Sequence, residues 1–225
     1  MPQKHLPAAA FIFDLDGTLV DSLPDMRRAM NAYLADLGRR PVAPEEISAW
    51  VGDGATELVK RALTATGGLP DGPIADQVKG YLEHYRGNAC IDSRPYDGVE
   101  AMLRQLKADG HLLAVCTNKP YDISVELLDG LGLTALFSAI TGGDSPHGRK
   151  PSPAPLIATL DAMQAGARKA LMVGDSIFDV QAARGAGLPV VAVTFGYGHV
   201  APEELGADRL IDDFALLPQV ARELI

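Results

Sequence analysis

Five short apolar runs constrain this chain more than any other feature. They are 9–13 (AAFIF), 111–116 (HLLAVC), 136–141 (LFSAIT), 170–173 (ALMV) and 190–193 (VVAV), and each stops at polar or glycine residues. Runs this short, with no polar alternation, suit strands buried on both faces of a parallel sheet. Helical spacing fills the gaps. Val99, Met102, Leu103 and Leu106 form one stripe; Asp97 is expected to cap it, with Glu100 three residues later and Gly110 ending it. Pro120 opens a second helix carrying Leu127, Leu128 and Leu131, residues 154–163 make a third, and 179–186 lie in a fourth. Alternating strand and helix predicts an α/β fold, a doubly wound parallel-sheet (Rossmann-like) core.

One segment breaks the alternation. Between Val20 and Asp92 no strand is evident. Three apolar stripes appear instead: Leu23, Met26, Met30, Tyr33, Leu34 and Leu37; then Leu58, Val59, Ala62 and Leu63; then Ile74, Val78, Tyr81, Leu82 and Tyr85. This predicts an all-α cap domain at 20–92, inserted after the first strand, with the core formed by 1–19 and 93–225. A cap entered and left beside a strand end can sit over a site there as a lid.

Composition excludes several partners. The 225 residues are 47% hydrophobic, enough for a full core, and carry a net charge of −9. With no run of basic residues, such a chain is repelled by nucleic acid and by anionic membranes. Cys90 and Cys116 are too few for a disulfide framework or a four-ligand zinc site, and read as reduced thiols. With no stretch long enough to span a membrane and no signal core, the expected location is cytoplasmic. The expected state is monomer or homodimer.

In doubly wound sheets, ligands bind at the carboxyl ends of the strands. Asp14 and Asp16 follow the first run, and period-two geometry can aim both side chains into one pocket. Asp175 ends another run and adds a third carboxylate. Like charges that close need a cation, and carboxylate oxygens with room for water suit Mg²⁺. For any single Asp the simpler reading is a turn or a helix cap. Convergence favours a site, because Thr117, Asn118, Lys150 and Asp175 all follow apolar runs or open a helix beside one.

Other candidates fall away. The segment 142–150 (GGDSPHGRK) has the glycines and lysine of a phosphate-binding P-loop, but Pro151 stands where Ser or Thr is required. His84, His147 and His199 show no metal-ligand spacing. His111 and Cys116 read as structural.

The sequence resembles the haloacid dehalogenase superfamily. The resemblance rests on Asp14-Leu15-Asp16-Gly17-Thr18, then Thr117-Asn118, then Lys150-Pro151, then Gly174-Asp175-Ser176 with Asp179, in that order over nearly the whole chain. Trp50-Val51-Gly52-Asp53-Gly54-Ala55, Thr117-Asn118-Lys119-Pro120 and Thr194-Phe195-Gly196-Tyr197-Gly198 are similar to the phosphoglycolate phosphatases of bacteria. The resemblance implies a Mg²⁺-dependent phosphomonoester hydrolase. It makes Asp14 the nucleophile and Asp16 the general acid and base, and gives the metal to Asp14, Asp175 and the carbonyl of Asp16. Thr117 and Asn118 would donate to the phosphate, and Lys150 would supply its positive charge.

Asp179 would orient metal-bound water or serve its own helix dipole; Ser176 would cap that helix, touch phosphate, or both. Ile177 and Phe178 are apolar where many relatives are polar. The Gly52-Asp53-Gly54 turn, ahead of a helix, either holds a substrate carboxylate on backbone amides or is a helix start capped by Asp53. The leading substrate is 2-phosphoglycolate. Alternatives are a sugar phosphate such as N-acetylmuramate 6-phosphate, pyrophosphate, a phosphomutase reaction, or a non-catalytic phosphate-binding regulatory module.

Overall fold

The computed structural model describes residues 8–166, 169–198 and 200–225. The chain begins with β1 (Ala10–Phe13) and β2 (Val20–Asp21). Four helices follow: α1 (Leu23–Asp36), α2 (Pro44–Ser48), α3 (Ala55–Ala65) and α4 (Ile74–Tyr85). It returns through β3 (Arg94–Pro95) and then alternates as α5 (Val99–Ala108), β4 (Leu112–Cys116), α6 (Tyr121–Gly130), β5 (Ala139–Thr141), α7 (Ala154–Ala162), β6 (Ala170–Gly174), α8 (Ile177–Gly185) and β7 (Val190–Val193). It ends with β8 (Arg209–Ile211) and α9 (Leu217–Leu224). His199, one of the histidines considered above, lies outside the described residues.

Six strands form one parallel sheet in the order β5-β4-β1-β6-β7-β8. The fold is a Rossmann-like α/β core carrying a helical cap. The alternation of strand residues explains the layers. Phe11 and Phe13 of β1 join Leu113, Val115, Leu171 and Val173 on one face, while Ala10 and Ile12 join Ala114, Cys116 and Met172 on the other. All four β1 side chains are fully buried, and each large one is worth about 1.5–3 kcal/mol. β1 lies between β4 and β6, with Phe13 opposite both Val115 and Val173. That register brings Asp14, Thr117 and Asp175, which follow these three strands, to one sheet edge.

The cap joins the core through a two-stranded antiparallel ribbon, with Val20 opposite Pro95 and Asp21 opposite Arg94. Within the cap α1 packs on α2 and α4, and α3 packs on α4. Met30, Leu34, Ile47, Val59, Leu63 and Tyr81 are fully or nearly fully buried there, in a cluster continuous with one face of the sheet.

Several expectations change. The N-cap of α5 is Gly98 in a left-handed conformation with no side-chain cap, so Asp97 does not cap it. The run 136–141 is strand only over Ala139–Thr141, because Leu136 closes a short 3₁₀ turn, Thr134–Leu136. Leu37 lies past the end of α1 and is exposed, so it leaves the buried stripe. β2, β3 and β8 carry too few buried residues to show as apolar runs.

Candidate active site

β1 ends in Phe13, and alternation continues past it: Leu15 is buried in the apolar core, which turns Asp14 and Asp16 the opposite way. The Asp14 amide donates to the Val173 carbonyl at 2.9 Å, tying Asp14 to β6. Lys150 is 3% exposed, and its Nζ lies 2.8 Å from Asp14 Oδ1 and 2.6 Å from Asp179 Oδ1. Oxygens of Asp14, Asp175 and Asp179 fall within 4.8 Å of one another.

Three buried acids stand around a single lysine, and ionised together they would carry two negative charges in excess. Burial pushes the Asp14 carboxyl above its usual range; Lys150 opposes this, and Asp179 and Asp16 add to it. Asp175 is pushed up by burial and by the charges of Asp179 and Asp14. Lys150 moves upward because its two acid partners outweigh burial. Asp14 Oδ1 accepts no aligned hydrogen bond, though it is buried. A cluster of hard oxygen donors with excess negative charge fits a hard divalent cation.

The surroundings of Asp175 are built for close approach. Thr18 Oγ1 donates to its Oδ1 at 3.2 Å, and the Tyr197 amide donates to its Oδ2 at 2.8 Å. Gly17, at φ +81°, and Gly196 both pack so tightly on Asp175 that a Cβ at either would collide with it. Asp179 sits in the first turn of α8. Its Oδ2 accepts from the amides of Asp175 and Ser176 and from the Ser176 hydroxyl, at 3.2, 3.0 and 2.6 Å. Asp179 therefore serves its helix start, one of the two roles considered for it, and in addition it holds Lys150. Ser176 is the N-cap residue of α8.

Thr117 Oγ1 accepts from the Lys119 amide at 3.2 Å, so its hydroxyl hydrogen remains to donate. Asn118 lines the cavity, with its side chain engaged inside the protein. Its side-chain amide donates to the carbonyls of Gly52 and Lys150 at 3.0 Å each, and its oxygen accepts from the Lys150 amide at 2.9 Å. The side chain clamps the cap loop to the lysine segment. Gly52 and Gly54 line the cavity between cap and core. Gly54, not Asp53, is the N-cap residue of α3, and Asp53 pairs with Arg61 instead.

Two neighbours of these acids were not among the sequence-based candidate site residues. Lys119 is 5% exposed, and its Nζ donates to Asp16 Oδ1 and Oδ2 at 3.0 and 3.2 Å and to Tyr85 OH at 2.7 Å. Its position, two residues beyond Thr117 at a strand end, was the available signal. Tyr197 joins Asp175 to the cap ribbon, because its hydroxyl accepts from the Ser22 amide at 2.8 Å and donates to Asp21 Oδ1 at 2.6 Å. Ser22 Oγ in turn donates to Asp16 Oδ1. His111 accepts from the Ala9 amide and Cys116 is buried, in keeping with structural roles.

Residues 11–193 match the family model of haloacid dehalogenase-like hydrolases. The chain belongs to that family. It is 42% identical to a phosphoglycolate phosphatase of Agrobacterium fabrum, over 95% of this chain and 93% of that protein. Among solved structures, a predicted phosphoglycolate phosphatase from Haemophilus somnus superposes with a TM-score of 0.89 at 33% identity, covering 97% of this chain and all of that one. CbbY from Rhodobacter sphaeroides, solved in complex with phosphate, gives 0.78 at 28% identity over 93% of this chain and 96% of that one. This family member is a phosphoric monoester hydrolase. No helix among the described residues is long and apolar enough to cross a membrane.

Proposed function

We propose that this hydrolase is a Mg²⁺-dependent phosphatase that works through an aspartyl-phosphate on Asp14, and that its substrate is 2-phosphoglycolate. The observation that carries the mechanism is Lys150, buried between Asp14 and Asp179 with Asp175 beside them at the end of the central strand. Asp14, Asp175 and the carbonyl of Asp16 would hold the metal. When bound, that ion offsets the repulsion between nucleophile and phosphate.

The chain's own groups perform the steps. An Asp14 oxygen attacks phosphorus while the bond from phosphorus to the ester oxygen breaks. Asp16, held by Ser22 and Lys119, gives its proton to the leaving oxygen, then takes one from the water that cleaves the acyl-phosphate. Lys150 keeps Asp14 aligned and sets a fixed positive charge beside it. The Thr117 hydroxyl donates to a phosphoryl oxygen. The helices between β2 and β3, in the segment 20–92, act as the cap, and 1–19 with 93–225 as the core. The names of the relatives support this substrate, and a cavity of about 110 Å³ suits a small phosphorylated metabolite. The expected location is the cytoplasm.

The test is turnover of 2-phosphoglycolate with Mg²⁺ and with chelator, for the wild type and Asp14→Asn. Hydrolysis that needs the metal, loss of turnover in the variant, and a phosphoryl adduct on Asp14 by mass spectrometry after acid quench are expected. A variant that keeps the wild-type rate overturns the nucleophile assignment.

A further inference from the structure

The site described so far handles the phosphoryl end of a substrate. In the same cavity α4 presents Tyr81 and Tyr85, one helical turn apart with ring centroids at 5.7 Å. The Tyr81 hydroxyl is buried and has no hydrogen-bond partner. A buried, unpaired hydroxyl costs free energy, and in native proteins it calls for an explanation. The Tyr85 oxygen accepts from Lys119 Nζ, which leaves the Tyr85 hydrogen free to donate. Lys119 also lies 4.6 Å from the Tyr85 ring centroid. It is the one cation among the described residues lining the cavity, whose other charged lining residues are Asp14, Asp16 and Asp175.

We propose that Lys119, Tyr81 and Tyr85 form a carboxylate-reading subsite, so that the hydrolase selects short phosphate esters with an acid group one carbon from the ester oxygen. This rests on the phosphatase reading above and assigns the residues that choose its substrate. The chemistry of position supports it. Asp16 must lie beside the ester oxygen it protonates, and Lys119 Nζ is 3.0 Å from Asp16. An acid group joined through a single methylene to that oxygen therefore falls within reach of Lys119. Two hydroxyl hydrogens and one positive charge match the acceptor-only character of a carboxylate. The core lysine, Lys150, then serves the phosphoryl end, and Lys119 with the cap tyrosines serves the other. A leaving group with no acceptor at that place leaves the Tyr81 hydroxyl unpaired, and a site built to hydrogen-bond discriminates strongly against the analogue that lacks the partner.

The experiment compares kcat/KM for 2-phosphoglycolate and for ethyl phosphate, in which a methyl group replaces the carboxylate. It uses the wild type, Tyr81→Phe and Lys119→Met, with p-nitrophenyl phosphate as a general phosphatase substrate. The wild type should prefer 2-phosphoglycolate. The ratio of the two kcat/KM values should fall about tenfold in Tyr81→Phe and further in Lys119→Met, as expected for lost hydrogen bonds to a charged group. In Tyr81→Phe the loss should appear chiefly in KM, together with weaker competitive inhibition by glycolate. An unchanged ratio in Tyr81→Phe, which removes one oxygen and leaves the ring packed, overturns the subsite, as does an equal loss on both esters in Lys119→Met. A wild type that hydrolyses p-nitrophenyl phosphate without preferring the acid ester also overturns the subsite and leaves the phosphatase reading standing. Failure on all three esters overturns that reading itself.

Discussion

Asp25 is a buried acid with no part in the chemistry, and it holds the returning strap of the cap. From the first turn of α1 its Oδ2 accepts the amides of Ile91, Asp92 and Ser93 at 2.8, 3.0 and 2.9 Å and the Ser93 hydroxyl at 2.7 Å. Its Oδ1 accepts the Asp92 amide at 3.0 Å and pairs with Arg28 at 2.7 Å. Asp25→Asn keeps the shape. With its one oxygen placed at Oδ2, the new amide faces the Asp92 N–H and Arg28, both donors. The partly exposed Arg28 pair adds little. Loss of one charge-assisted bond and of the anion facing the remaining donors costs about 2–4 kcal/mol. For a chain of this size that lowers Tm by about 5–15 °C.

The same residue carries a pH signature. Burial alone would raise the Asp25 carboxyl, but the bonds from Ser93, Asp92 and Ile91 outweigh it and hold it below the usual carboxylate range. A carboxyl depressed in the folded state stabilises above its unfolded value, about 3.9, and loses that contribution as pH falls through the folded value. Thermal unfolding followed by circular dichroism should therefore show a Tm gap between wild type and Asp25→Asn that is steady from pH 8 to about 5. The gap should close below about pH 4. A neutral-pH gap under about 2 °C, or one that widens in acid, refutes the reasoning.

Lys150→Met leaves three buried acids without their cation. It should cut kcat about a hundredfold or more and destabilise the fold by about 3–5 kcal/mol, read by steady-state kinetics and by urea unfolding. Gly17→Val forces a side chain into a left-handed backbone against Asp175, so the Mg²⁺ concentration for half-maximal activity should rise, as a metal titration would show. Gly54→Val, at φ +86°, would press toward the Asn118 carbonyl and Arg149; kcat/KM for 2-phosphoglycolate should fall, and an unchanged value removes this turn from the site.

Much of the core site was legible in the residue pattern. Apolar runs that stop at Asp14, Thr117 and Asp175 are strand ends of a parallel sheet, and a parallel sheet collects its strand ends at one edge. The order of the motifs carried the family, and the helical stripes between Val20 and Asp92 carried the cap. Local signals were weaker where backbone geometry overrode them. Gly98 took the cap expected of Asp97, and Gly54 the one considered for Asp53, because a left-handed or otherwise special turn needed a residue without a Cβ.

Partner choice between distant side chains was decided by tertiary structure alone. Nothing in the spacing of Asn118 shows that its amide holds Gly52 and Lys150. Nothing near Lys119 shows that a cap helix sets Tyr85 beside it, or leaves Tyr81 without a partner. Strand burial is periodic and local, so it is written along the chain. The pairing of one polar group with another depends on how two layers, the cap and the sheet, come to rest against each other, and that is fixed by packing over the whole surface between them.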